Sequence, residues 1–142
     1  MPVRNAEATW KGTLQEGTGS FRTASGAVEG TFSAETRFED APGTNPEELV
    51  GAAHAGCFSM AMSAALGRAG ATVDSIDTTA DVTIERLDSG WEITGIHLVS
   101  RVHASGIDED GFQEAAEGTK QGCPVSKALR SVPISLDASL VS

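Results

Sequence analysis

Basic residues are scarce in this chain of 142 amino acids: ten Lys and Arg stand against twenty Asp and Glu, a formal charge of −10 at neutral pH. With a pI near 4.6, nucleic-acid binding is excluded, because wrapping a phosphate backbone demands basic surface. Cysteine is sparse too. The two thiols, Cys57 and Cys123, lie 66 positions apart and make neither a CxxC pair nor the four-ligand, short-spaced set of a zinc site. The opening residues, MPVRNAEATWKG, lack the apolar segment of about 7–15 residues that a secretory signal needs. The expected compartment is therefore the cytoplasm, where a lasting structural disulfide is not expected. There is no GxGxxG and no P-loop, so no nucleotide cofactor is implied, and the chain calls for no metal. Internal repeats and linkers rich in Pro, Gly or Ser are also missing. At 39% apolar and 21% charged residues, positions 1–142 read as one globular domain.

What is present has a clear order. Residues 7–40 read as strands joined by tight turns, with Gly17-Thr18-Gly19 and Ser25-Gly26 as turn chemistry and a further strand over Thr31–Phe38. Asn45-Pro46 then starts a helix, with Asn45 as cap, Pro46 at the first helical position and Glu48 completing a capping-box pattern. It is expected to run to Arg68 and stop at Gly70. From Leu49 to Gly67 it carries no formal charge over nineteen residues. A membrane span is rejected, since the run is mostly Ala, Gly and Ser, holds His54 and sits among amphipathic strands. A central helix buried on nearly every side fits better. A chain this short has difficulty covering a helix of about 35 Å, and the small residues Gly51, Ala52, Ala53, Ala55 and Gly56 suit close approach of a second copy.

Beyond it, Thr78–Leu87 and Trp91–Val102 alternate as a hairpin around Asp88-Ser89-Gly90. Asp108 caps a helix through Lys120, Cys123-Pro124 opens another, and Ile134, Leu136 and Ala138 alternate as a last strand. The expected fold is α+β: a largely antiparallel sheet packed on a long central helix and shorter ones.

The chemistry to be placed is that of two thiols. Cys123, just before a predicted helix start, gains from exposed N–H groups that favour a thiolate. Cys57, inside an apolar helix, is expected to have its pKa raised by burial unless a cation lies near. Arg37 is the candidate cation, on the strand before the helix, and its planar fork suits a carboxylate and a polar substrate oxygen alike. Glu47 is the candidate carboxylate, about 80° around the helix from Cys57, whereas Glu48 points away and serves the cap. Glu47 is nonetheless about 15 Å along a straight helix from Cys57, so Arg37 must bridge the gap or a second chain must supply a group. His54, three residues before Cys57, shares its helical face and offers a Cys–His dyad as an alternative.

The stretches GTNPEELVGAAHAGCFSMAMS (43–63), ETRFE before it, SIDTTADVTIE (75–85) and GCPVSKAL (122–129) resemble the osmotically inducible protein C / organic hydroperoxide resistance family, most of all its OsmC branch. The resemblance runs through nearly the whole chain in order and takes in both cysteine contexts. It implies an intertwined homodimer that reduces organic hydroperoxides, and hydrogen peroxide less well, in protection against oxidative stress. Cys57 is then the peroxidatic thiol, Cys123 the resolving thiol, and Arg37 with Glu47 the activating pair. The implied reductant is an external dithiol on a dihydrolipoyl-bearing protein. Phe38, Phe58 and Met60 are candidate lining for an apolar substrate tail. Two other readings stay open: a thiol hydrolase or acyl transferase built on Cys57 and His54, and a non-catalytic binding domain.

Overall fold

In a computed structural model, which describes residues 1–141, the chain runs β1 (Ala6–Lys11), β2 (Thr18–Thr23), β3 (Glu29–Phe32), α1 (Ala34–Phe38), α2 (Pro46–Arg68), β4 (Thr72–Leu87), β5 (Gly90–Ser105), α3 (Glu109–Gly122), α4 (Pro124–Ala128) and β6 (Ile134–Val141). Two compact units divide it, Met1–Leu49 and Val50–Ser142, with the boundary inside α2.

In the first unit β1, β2 and β3 form an antiparallel meander. Trp10 and Phe21 close on Phe32, the latter stacked at 4.0 Å between ring centroids. One expectation fails here: residues 34–38 are helical, so Arg37 sits on α1 and not on a strand. The helix is written locally after all. Ser33 Oγ accepts from the Thr36 amide at 3.3 Å, and the Ser33 amide donates to Thr36 Oγ1 at 2.8 Å. This reciprocal capping box satisfies two amides that a strand would have spent on a neighbour, with Thr in the place usually held by Glu or Gln. The β-branched residues pointed to a strand; the cap outweighed them.

Asn45 starts α2 as expected, its Oδ1 accepting from the Glu48 amide at 2.8 Å. Glu48 does not reach back to complete the box. Its carboxylate takes the Thr44 hydroxyl at 2.6 Å instead. The other end of the Asn45 amide donates to the Thr36 carbonyl at 3.0 Å, which ties the end of α1 to the start of α2.

In the second unit, β4, β5 and β6 form a sheet in that order. β4 and β5 pair as a long antiparallel hairpin with a two-residue turn between Leu87 and Gly90, and β6 is parallel to β5. A parallel neighbour needs a crossover, which α3 and α4 supply. The core joins Phe58, Met62 and Leu66 of α2 to Ile96, Leu98 and Val102 of β5 and to Phe112 and Ala116 of α3. The α2 contributors recur every four residues, one stripe of a 3.6-residue helix. Each large side chain buried there is worth about 1.5–3 kcal/mol. α2 can lie close to β4 because position 51 is glycine: a Cβ there meets the Ala80 carbonyl at 3.3 Å. A hydroxyl chain adds direction, Ser59 to Thr78 at 2.8 Å and Thr78 to Ser100 at 3.0 Å. The helix stops as read from the sequence. Gly70 has φ +91°, and the Ala71 and Gly70 amides close on the carbonyls of Leu66 and Gly67, a Schellman motif.

α2 is long and apolar enough to cross a membrane by length and composition, yet one stripe of it carries the core. Its other face, through Ala52, Ala53, Gly56, Met60, Ser63 and Ala64, is exposed in the single chain.

Candidate active site

Two clusters carry chemistry, one in each unit. In the first, the α1–α2 junction built by Ser33, Thr36 and Asn45 presents Arg37 to Glu47. Arg37 Nε donates to Glu47 Oε1 at 2.9 Å and Nη2 to Oε2 at 3.0 Å. This is the two-pronged pairing that only a guanidinium can make with a carboxylate. Glu47 is 7% exposed, while the Arg37 side chain keeps about a third of its surface. The guanidinium also lies over the Phe38 ring, 5.4 Å from its centroid. A hollow of about 260 Å³ adjoins it, lined by Trp10, Leu14, Phe32 and Phe38 with Arg37 at its edge. The arrangement offers a fixed cation beside apolar walls.

In the second unit the two cysteines meet. Both are free thiols. Cys57 stands on α2, half-buried against the core, and Cys123 sits where α3 ends and α4 begins, 1% exposed. Three influences act on the Cys57 thiol. Burial pushes its pKa up, the Val125 backbone amide pulls it down by donating to the sulfur, and the adjacent Cys123 thiol pushes it up again, with a net upward result. Cys123 caps α4, its sulfur accepting from the Ser126 amide at 3.4 Å. It donates in turn to Ser126 Oγ at 3.0 Å, and Ser126 Oγ lies 2.7 Å from His54 Nε2.

His54 therefore engages Ser126, and the dyad with Cys57 considered from the sequence is not formed. Its ring is fully buried, and burial lowers its pKa. Of the candidate lining residues, Phe38 borders the hollow beside Arg37. Phe58 has no exposed surface and belongs to the core, and Met60 is 79% exposed on α2. Sequence reasoning missed Ser126, Val125 and the walls Trp10, Leu14 and Phe32. Ser126 left a signal, the three-residue spacing from the cap Cys123, which is the spacing of a capping box. The rest left none, because their roles depend on the pairing of distant segments. Among the described residues no group of His, Cys, Asp and Glu is arranged to hold a metal.

Comparisons with known proteins identify the family. Residues 38–137 match the family described as OsmC-like protein. The chain is 48% identical to peroxiredoxin OsmC of Escherichia coli (strain K12) over 140 residues, 98% of this chain and 97% of that one. It is 33% identical to the organic hydroperoxide resistance protein OhrB of Bacillus subtilis (strain 168) over 93 residues, 65% of this chain and 66% of the other. Among solved structures, an organic hydroperoxide resistance protein OsmC from Legionella pneumophila superposes with a TM-score of 0.70 over all of both chains at 19% identity, which speaks for the fold. With the family match covering well over half its length and a near-full-length relative at 48% identity, the chain belongs to the OsmC family.

Proposed function

We propose that this protein is a thiol-dependent peroxidase that reduces organic hydroperoxides, and hydrogen peroxide less well, and so protects the cell against oxidative stress. The observation that carries the reading is the adjacency of Cys57 and Cys123, free thiols from distant parts of the chain, with the Val125 amide directed at the first. The names of its relatives, peroxiredoxin and organic hydroperoxide resistance protein, point the same way.

In this reading the Cys57 thiolate attacks one peroxide oxygen, the O–O bond breaks, and an alcohol or water leaves. The sulfenic acid on Cys57 condenses with the Cys123 thiol, forming the disulfide and releasing water. An external dithiol, carried by a dihydrolipoyl-bearing protein, restores both thiols by exchange. Burial raises the Cys57 pKa, so the reaction needs a cation, and Arg37 is assigned that role. It favours the thiolate and stabilises the charge on the departing oxygen. Glu47 fixes the guanidinium through its two hydrogen bonds. Phe38, with the other walls of the hollow, receives the apolar tail of the substrate.

The working form is a homodimer in the cytoplasm, and residues 1–142 act as one domain within it. The exposed face of α2, small residues around Met60, supports the dimer, because a second copy there covers apolar surface that a single chain leaves open. The test is a thiol count before and after one equivalent of cumene hydroperoxide. Loss of both thiols with a Cys57–Cys123 crosslink in the peptide map is the expected result. Two unreacted thiols would overturn the proposal.

A further inference from the structure

We infer that His54 and Ser126 form a buried proton relay for the resolving thiol, holding Cys123 in place and taking up its proton as the disulfide closes. The inference rests on the peroxidase reading and adds to it two positioning residues that act on the second step. Three side chains make a continuous line, Cys123 Sγ to Ser126 Oγ at 3.0 Å and Ser126 Oγ to His54 Nε2 at 2.7 Å. All three are at least 98% buried, so water does not serve as the base. A thiol is a poor nucleophile and its thiolate a good one, so a resolving cysteine sealed from solvent needs somewhere to send its proton.

The geometry supplies that place. When Cys123 donates to Ser126, the hydroxyl proton of Ser126 points to His54 Nε2, whose lone pair must then be free, and the ring proton sits on Nδ1. That atom is buried and has no hydrogen-bond partner among the described residues. A buried imidazole with one nitrogen committed to a hydroxyl and the other to nothing is poorly explained by packing, where each polar atom normally finds a partner. Burial keeps the ring neutral near pH 7 and hence able to accept. The other ionisable side chains of α2 are Cys57, the Glu47 bound to Arg37 and the exposed Glu48 and Arg68; beside Cys123, Lys120 of α3 pairs with Glu117, and Lys127 and Arg130, beyond Ser126, are exposed.

The step balances without an added reactant. The Cys123 proton moves to Ser126 Oγ as the Ser126 proton moves to His54 Nε2. The Cys123 thiolate attacks the Cys57 sulfenic sulfur, the S–S bond forms and the S–O bond breaks. The departing hydroxide is protonated, the imidazolium gives up its proton, and the products are the disulfide and one water.

The test separates the two steps by rapid acid quench and intact mass after mixing with excess cumene hydroperoxide, in wild type, Ser126→Ala and His54→Gln across pH 6–9. The variants keep the side-chain volumes close, and Gln can hydrogen-bond Ser126 but cannot carry the proton away. In both variants the first-order rate of disulfide closure, relative to sulfenic-acid formation in the same sample, is expected to fall at least about tenfold at pH 7. Its logarithm should climb with pH at close to unit slope toward the range of an ordinary thiol, where wild type is nearly flat. Closure in both variants at the wild-type rate and slope overturns the relay and leaves the peroxidase reading standing. A wild type that forms no sulfenic acid or no Cys57–Cys123 disulfide overturns both.

Discussion

Arg37 and Glu47, ten residues apart, grip each other through two parallel hydrogen bonds of 2.9 and 3.0 Å, with the carboxylate buried and the guanidinium partly open. The cation's free edge is thereby fixed in direction. Replacing Arg37 by Lys keeps the charge but loses the fork. The peroxidatic rate constant with cumene hydroperoxide, measured by stopped flow, should fall about 10²-fold. The melting temperature should change little, since a partly exposed ion pair contributes no more than about 1 kcal/mol. An unchanged rate would remove Arg37 from the mechanism.

The proposed cycle gives the two cysteines unequal roles, and single substitutions test the assignment. Cys57→Ser should consume no peroxide. Cys123→Ser should consume about one equivalent and stop with an oxidised Cys57 that a sulfenic-acid reagent traps. If Cys123→Ser were inert while Cys57→Ser still reacted, the assignment would be reversed.

The proposed function divides Phe58 and Phe38 between stability and substrate. Phe58→Ala removes a side chain with no exposed surface from the core and should cost about 3–5 kcal/mol in urea denaturation. Phe38→Ala should cost far less, but raise KM for cumene hydroperoxide while leaving that for hydrogen peroxide nearly unchanged. Equal KM changes for the two peroxides would take Phe38 out of the substrate site.

Stability should depend on pH through the buried His54 and the half-buried Cys57, with losses at both ends. His54 has a lowered pKa in the fold, so below the ordinary imidazole value of about 6.5 the unfolded chain binds more protons and stability falls as pH falls. Cys57 has a raised pKa. Above about 8.5, where an unfolded thiol ionises, the folded chain holds the extra proton and stability falls as pH rises. Thermal unfolding from pH 5 to 10 should therefore peak near neutrality. His54→Gln should flatten the acidic side and Cys57→Ala the alkaline side; a His54→Gln variant with the wild-type acidic slope would mean that carboxylates alone cause it.

Much of the fold could be read directly. The Asn45 cap, the stop at Gly70, the turn between Leu87 and Gly90, the Asp108 cap and the Pro124 start all stand where local chemistry placed them. Each is an interaction between residues a few positions apart, and short-range sequence encodes it. α1 escaped because its capping box uses Thr36 in place of an acid or amide, inside residues with strand propensity.

The sequence by itself determined which residues could do the chemistry: two thiols in two distinctive contexts, one arginine and one carboxylate with the right forms, and a long uncharged helix. The tertiary structure alone decided that Cys57 and Cys123 are neighbours, and that His54 turns to Ser126. The crossover that sets β6 parallel to β5 also carries the α3–α4 junction, and with it Cys123 and Ser126. Contacts across 66 or 72 residues follow from how whole elements pack, and no short window of residues contains the energy that selects them.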